Sequence, residues 1–472
     1  MRDGIAIALD RTATAPLQHQ LYARVREAIE AGRLRPGQRL PSARSLSVQL
    51  GIARGTVDAA FARLTGEGYV VGRGPAGTFV SAALTAPPPL RADALGSPVR
   101  LAAPGVRPGP LPFQLGLPAL DAFPRKLWSR LIGRTARGLA PRDLAYPDPA
   151  GWPPLRAAIT AYLGISRGVA CAPEQVFVTA GYQGALALIA RALVRPGDQV
   201  WMEDPGYPFA RLGLEEAGAT LVPVGVDRDG LDVAEGMARA PGARVAVVTP
   251  SHQSPLCVAL SLSRRLTLLD WAARAGAWVV EDDYDSEFRY AGPPLPALKG
   301  LDRGGRVLYA GSFSKVLFPA LRLGYLVVPE SLADAFARSA KPLHGGSGVL
   351  EQAVVAAFMV EGYFARHLRR MRGLYAARRN ALVRELTKSL GARLRVELQA
   401  GGMHLLLRLP ASVDDVPVAC RGRAVGLAVQ PLSPLVLAHD CGAGLLLGFT
   451  NVTEAGAPDA AARLVCAIGD WL

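Results

Sequence analysis

From Gln175 onward the chain alternates short apolar runs with longer stretches of helical periodicity, and few folds accommodate that rhythm. Gln175–Thr179 reads as a strand, Gly181–Leu193 as a helix and Gln199–Met202 as the next strand. Arg244–Val248, Ala277–Val280 and Arg306–Tyr309 repeat the strand pattern. Strand, helix, strand in this order predicts an α/β fold with a mostly parallel sheet, whose ligands sit beyond the carboxyl ends of the strands.

Two of those strand ends carry chemistry. Lys315 lies in Gly311-Ser312-Phe313-Ser314-Lys315, just after the run Val307–Ala310, and Asp282 and Tyr284 follow Ala277–Val280. An amine, a carboxylate and a phenol delivered by strand ends match the needs of pyridoxal 5'-phosphate (PLP). The amine forms a Schiff base, the carboxylate keeps the pyridine nitrogen protonated and the phenol meets the ring hydroxyl.

The 472 residues imply two to four domains, and with half of them apolar and 19% charged the chain is globular rather than disordered. No apolar stretch approaches the roughly 20 residues of a membrane span, and the first ten residues hold no secretory core. A cytoplasmic protein without a membrane partner is expected. Cys171, Cys257, Cys420, Cys441 and Cys466 are scattered and odd in number, and read as reduced, mostly buried thiols. The six histidines form no cluster, so no metal site is expected. The formal charge is +14. Residues 1–81 hold 11 Arg and no Lys against 6 acidic residues, a net +5 that suits a DNA-facing module.

Three parts follow in order. Residues 8–81 carry helical patterns and a Gly-punctuated strand pair, residues 82–112 are a Pro/Ala-rich linker, and residues 113–472 carry the α/β rhythm. In the first part, helices are predicted over Pro16–Glu30, Ala43–Leu50 with Ser42 as its cap, and Arg54–Glu67. The second and third, joined through Gly51, form a helix-turn-helix. The segment Gly72-Arg73-Gly74-Pro75-Ala76-Gly77 matches a phosphate-binding pattern, but a strand follows it where a helix is required, so a hairpin is expected.

This part resembles the GntR family of winged-helix regulators in Arg39-Leu40-Pro41-Ser42, Gly51–Val57, Leu64–Tyr69 and Gly74–Val80. The resemblance implies that Arg44, Arg54 and Thr56 contact double-stranded operator DNA, with the wing from Arg73 to Gly77 supporting in the minor groove. Arg54 is the base-reading residue, and Arg44 and Thr56 touch phosphate. Ala53 departs from the Ser or Thr usual there, and loss of that cap costs about 1 kcal/mol.

Residues 113–472 resemble class I aminotransferases of fold type I, and the fusion resembles the MocR subfamily of GntR regulators. The motifs are Phe123–Trp128, Tyr146–Gly151, Glu203–Pro208, Thr249–Gln253, Glu281–Tyr290 and Ser312–Tyr325. By position the resemblance implies Lys315 as the Schiff-base lysine, Asp282 at the pyridine nitrogen and Tyr284 at the ring oxygen. Ser312 and Arg322 bind the phosphate with backbone N–H groups of Gly181, Tyr182 and Gln183. Tyr207 stacks on the ring, Tyr146 reaches a partner subunit's phosphate in a homodimer, and His252 or Gln253 stands near the ring oxygen.

Two departures bear on function. Leu256-Cys257 replaces a Thr-Gly turn, so the loop is expected to be reshaped. Leu446 occupies the position of the arginine that clamps a substrate carboxylate, with Arg408 as a compensating candidate. The sequence therefore reads as a PLP-dependent DNA-binding regulator sensing an amine, amino acid or B6 vitamer, with weak or absent transamination. The alternative is an active aminotransferase with an accessory DNA-binding domain.

Overall fold

The computed structural model describes residues 8–13, 15–83, 109–292, 295–344, 348–391, 394 and 396–469. It divides into two compact units, Met1–Arg107 and Pro108–Leu472. Most of the stretch read as a linker, residues 84–108, lies outside the described residues, as do residues 1–7. Among the described residues no helix is long and apolar enough to cross a membrane.

In the first unit α1 (Leu17–Glu30), α2 (Ala43–Leu50) and α3 (Arg54–Gly66) precede a hairpin of β1 (Val70–Gly72) and β2 (Thr78–Val80). The inward stripe of α3, Val57, Ala60, Phe61 and Leu64, meets Leu21, Val25, Leu46, Val70 and Val80 in one core. Each large side chain buried there contributes roughly 1.5–3 kcal/mol. Ser42 Oγ accepts the Ser45 N–H at 3.1 Å to start α2, and Gly51, left-handed at φ 61°, ends it. Ala53 begins α3 without a side-chain cap. The glycine segment forms a single 3₁₀ turn, Gly74–Ala76, between antiparallel strands.

The second unit is built on an eight-stranded sheet. Its strands are β3 (Val176–Thr179), β4 (Gln199–Asp204), β5 (Thr220–Asp227), β6 (Gly230–Leu231), β7 (Val245–Val248), β8 (Trp278–Asp283), β9 (Val307–Ser312) and β10 (Gly324–Val327), in the order β3-β10-β9-β8-β7-β4-β5-β6. Five neighbours, β5-β4-β7-β8-β9, pair in parallel. β10 runs antiparallel between β3 and β9, so β3 shares the direction of β9. The link from Ser312 to Gly324 holds only single-turn helices. That is too little chain for a parallel crossover, so the backbone doubles back.

A second sheet, β11 (Val396–Glu397), β12 (His404–Arg408), β13 (Gln430–Pro431) and β14 (Gly444–Gly448), is antiparallel in the order β11-β12-β14-β13. The 28-residue helix Tyr363–Leu390 shares one core with it through Tyr375, Leu382 and Leu386. The cysteines are all unpaired, but only Cys257 is buried; Cys171 and Cys441 are half-buried and Cys420 and Cys466 exposed. The expectation of mostly buried thiols fails because Cys420 and Cys466 lie on the outer faces of surface helices.

Candidate functional site

The carboxyl ends of β3, β8 and β9 face one edge of the large sheet, and the side chains there line a cavity of about 300 Å³. Lys315, Asp282, Tyr284, Ser312, Tyr182 and Tyr207 all reach it. Lys315 follows β9 in a short helical turn that Ser312 starts by accepting the Ser314 N–H at 3.2 Å. Its Nζ donates to the Gly116 carbonyl at 3.1 Å. Burial pulls the Lys315 amine below the usual lysine range, with Asp285 and Asp282 opposing.

Alternation along β8 separates two adjacent carboxylates. Asp282 lines the cavity. Asp283 points the other way, to Arg167 Nη2 at 2.7 Å and the Tyr309 hydroxyl at 2.6 Å. Burial, reinforced by Asp283, pushes the Asp282 carboxyl well above its usual range, and a nearby cation relieves such a group. Burial and Asp285 likewise push the Tyr284 phenol up.

The phosphate cradle expected from Gly181, Tyr182 and Gln183 is the first turn of the helix Gly181–Leu193. Arg322 stands beside it, with Nη2 3.4 Å from the Ala180 carbonyl and 3.3 Å from Gln183 Oε1. Amide groups at a helix start beside a guanidinium suit a dianion. Three observations fit a B6 cofactor here. A Cβ on Gly116 would stand 2.1 Å from Lys315 Nζ, so the space around the amine depends on a bare backbone. The Tyr182 hydroxyl is buried beside Asp282 without a well-formed hydrogen bond. Asp282 lines the same cavity as Lys315, with its carboxyl turned toward the space a ring would fill.

Other expected residues fall elsewhere. His252 does not line the cavity; its Nδ1 stands behind, 2.9 Å from the Tyr284 hydroxyl and 3.1 Å from Asp285. Gln253 turns away, donating to the Pro205 carbonyl at 2.8 Å and to Glu203 at 3.2 Å. The residue between it and Pro255, Ser254, lines the cavity together with Tyr284. Its place directly before the proline was the signal available in the sequence. Tyr146 is fully exposed in this chain. Tyr207 is partly exposed, its ring 6.0 Å from that of Tyr182.

Leu446 is buried in the cavity wall. Arg408 does not compensate for it: its guanidinium is bound to Glu397 at 3.2 Å and the Cys441 carbonyl at 2.5 Å, outside the cavity lining. The loop at Cys257 is not reshaped by loss of glycine. Cys257 itself adopts φ 63°, held by its N–H to the Gln253 carbonyl and by the Gln253 N–H to the Val258 carbonyl, both 2.7 Å. Two short backbone bonds thus outweigh a left-handed penalty of about 1–2 kcal/mol.

In the first unit the Arg54 side chain is 69% exposed at the start of α3, its Nε 3.5 Å from Asp58. Arg44 is exposed on α2, and Thr56 is half-buried. Arg73 lies over the Phe79 ring at 5.0 Å, and Arg39 fills the space beside Gly77.

Residues 17–80 match the bacterial regulatory proteins of the gntR family, and residues 124–442 match aminotransferase class I and II. Over 94% of its length the chain is 41% identical to the "Probable rhizopine catabolism regulatory protein MocR" of Rhizobium meliloti, covering 92% of that protein. The chain belongs to the MocR-type regulators of the gntR family. Another relative, the pyridoxine biosynthesis transcriptional regulator PdxR of Corynebacterium glutamicum, is 32% identical, with 95% of each chain covered. The second unit of this MocR-type chain also resembles a solved kynurenine aminotransferase of Pyrococcus horikoshii in complex with PMP. That match has a TM-score of 0.70 at 28% identity and covers 76% of this chain and 91% of that one. The MocR-type regulators thus join a DNA-binding module to an aminotransferase fold, and this chain is a transcriptional regulator of that design.

Proposed function

We propose that this MocR-type regulator binds PLP at Lys315 and uses the surrounding cavity to sense an amine, an amino acid or a B6 vitamer rather than to turn one over. The observation that carries the reading is the cavity's furnishing. Lys315, Asp282, Tyr284 and Ser312 converge there, yet no guanidinium lines it among the described residues, and Leu446 stands at the clamp position. A carboxylate facing leucine lacks the bidentate, charge-assisted fork that general amino-acid turnover relies on. Bound PLP supplies an electrophilic aldehyde. Lys315 would hold it, Asp282 would serve the ring nitrogen and Tyr284 the ring oxygen, and Ser312, Arg322 and the Gly181–Gln183 amides would take the phosphate.

On the DNA side Arg54 reads a base edge, Arg44 and Thr56 hold phosphates, and the wing from Arg73 to Gly77 lies in the minor groove. The chain acts as a homodimer, with Tyr146 completing a partner's phosphate site; its full exposure in the single chain supports this. Ligand occupancy at Lys315 changes operator affinity through a coupling free energy between the two units.

The test is Lys315→Ala. The variant should bind operator DNA as the parent does, but lose the cofactor's visible absorption and every ligand-dependent change in DNA binding. A variant that still responds to ligand sinks the sensing model. Sustained conversion of an α-amino acid by the parent protein would favour an enzyme instead.

A further inference from the structure

Behind the Lys315 cavity, past His252, lies a second recess of about 110 Å³. Its wall includes Ser251, His252, Asp285, Ser286 and Arg289. Among the described residues nine buried side-chain nitrogen and oxygen atoms lack a hydrogen-bond partner. Five of the nine belong to this wall: His252 Nε2, both Asp285 carboxylate oxygens, Ser286 Oγ and Arg289 Nε. Asp285 is 1% exposed and His252 6%. An orphaned buried polar atom costs about 1–3 kcal/mol, so five gathered on one wall point to a polar occupant.

Water fits this set of donors and acceptors better than an ion. A cation would satisfy Asp285 but meet the Arg289 guanidinium, and an anion would meet Asp285. Water donates to the carboxylate and accepts from the Nε–H. The other guanidinium on the wall, Arg167, is engaged by Asp283, Ser251 Oγ and the Leu295 carbonyl. At about 30 Å³ per molecule the recess takes a cluster of a few waters. Backbone bonds fix the wall: the Tyr290 N–H donates to the Ala400 carbonyl at 2.7 Å and the Gly402 N–H to the Phe288 carbonyl at 2.8 Å. A Cβ on Gly402 would stand 2.3 Å from His252 Nε2, so the imidazole edge lies against bare backbone.

His252 joins the two spaces. Its Nδ1 is 2.9 Å from Tyr284 Oη, whose residue lines the Lys315 cavity, and its Nε2 belongs to the recess. Asp285 Oδ2 lies 3.1 Å from Nδ1, off the hydrogen-bond direction but close enough to stabilise a charged ring. His404 stands edge-on at 5.5 Å with Nε2 turned to Cys257 and the Pro255 carbonyl, outside this path.

We propose that His252 relays protons between the Tyr284 hydroxyl and waters held in this recess by Asp285, Ser286 and Arg289. A proton from the waters enters at Nε2, Nδ1–H gives one to Tyr284 Oη, and Tyr284 Oη gives its own hydrogen to the group in front. One proton enters and one leaves, and the reverse sequence drains a proton to the recess. The role rests on the reading of PLP at Lys315, which puts Tyr284 at the ring oxygen. It supplies that oxygen with a proton route that stays open when a ligand fills the front cavity.

Two measurements on the full-length protein loaded with PLP test the relay. A high-resolution crystal structure should show ordered waters bonded to Asp285, Ser286 and Arg289; a dry recess, or an ion in it, overturns the proposal. Stopped-flow mixing with propylamine then follows the visible spectrum of the cofactor. His252→Gln keeps a hydrogen-bonding group for Tyr284 but cannot pass a proton through a ring. It should retain cofactor absorption and respond at least about tenfold more slowly than the parent, equivalent to about 1.4 kcal/mol. A merely structural His252 would be replaced by glutamine without loss of rate, and that result overturns the relay. If His252→Gln takes up no cofactor, Ser286→Ala serves instead. It removes a water anchor and should also slow the response, and an unchanged rate there overturns the proposal. Absence of cofactor absorption in the parent is a different failure: it removes the PLP reading, and the recess is then judged by its waters alone.

Discussion

Replacing Gly116 with alanine separates cofactor capture from stability. Gly116 has φ +65°, and an added Cβ would stand 2.1 Å from Lys315 Nζ and 3.2 Å from Cε. The amine must retreat to at least 3.4 Å for ordinary contact. Misplacing a reacting atom by about 1 Å costs about 100-fold, or about 2.7 kcal/mol. The left-handed backbone adds a folding penalty of about 1–2 kcal/mol. Gly305→Ala is the matched control, because Gly305 has φ +64° with nothing within 4 Å of the added methyl. Both variants should lose similar stability in denaturant titration. Only Gly116→Ala should lose PLP affinity in a spectroscopic titration, together with borohydride-trapped label on Lys315 read by mass spectrometry. If Gly116→Ala captures PLP as the parent does, Lys315 Nζ does not depend on the bare backbone at Gly116.

Three further outcomes are expected. Ala53→Ser supplies the missing cap to α3 and should stabilise the first unit by about 1 kcal/mol in chemical denaturation; no gain would mean the helix start is fixed by packing. Arg167→Ala strands Asp283 in a buried site and should cost about 3–5 kcal/mol. Arg274→Ala, which breaks an exposed i,i+4 pair with Asp270, should cost under about 1 kcal/mol, and equal losses would refute the burial argument. His439 bridges Asp204 at 2.9 Å and Glu235 at 2.7 Å; burial opposes its charge, but the two carboxylates outweigh it and raise its pKa. The stability it adds is therefore full below the unfolded value of about 6.5 and fades as pH rises through the higher folded value. His439→Gln should differ from the parent most near about pH 6 and least near about pH 9, and the opposite trend in melting temperature would refute the sign.

Local signals made much of the fold readable. Ser42 and Gly51 bracket α2 because a cap and a left-handed residue are properties of single positions. The helix Gly181–Leu193 and the strands around Val245, Trp278 and Val307 follow from periodicity alone. β5 escaped because Pro223 and Gly225 interrupt its pattern. Pro223 is tolerated since β6 covers only Val226 and Asp227, leaving the outer edge at Pro223 without a strand partner. The direction of β10 is set by the length of its connection, which apolarity does not report. In the cavity, Lys315 and Asp282 could be found because each closes an apolar run. His404 and Cys257 lie 147 residues apart, and only tertiary packing brings them together. Arg408, the compensating candidate for the clamp, is occupied by Glu397 and the Cys441 carbonyl, partners that only the tertiary structure brings to it.

The antiparallel β10 also dictates an order of events during synthesis. Among the described residues β3 has no other strand neighbour in the large sheet, so its ladder bonds require Gly324–Val327. The helix start that follows β3 therefore cannot be registered against Lys315 until that late segment arrives. The winged-helix unit closes its own short-range core long before then. A nascent chain of this regulator can thus fold its winged-helix head while the aminotransferase-like body is still incomplete.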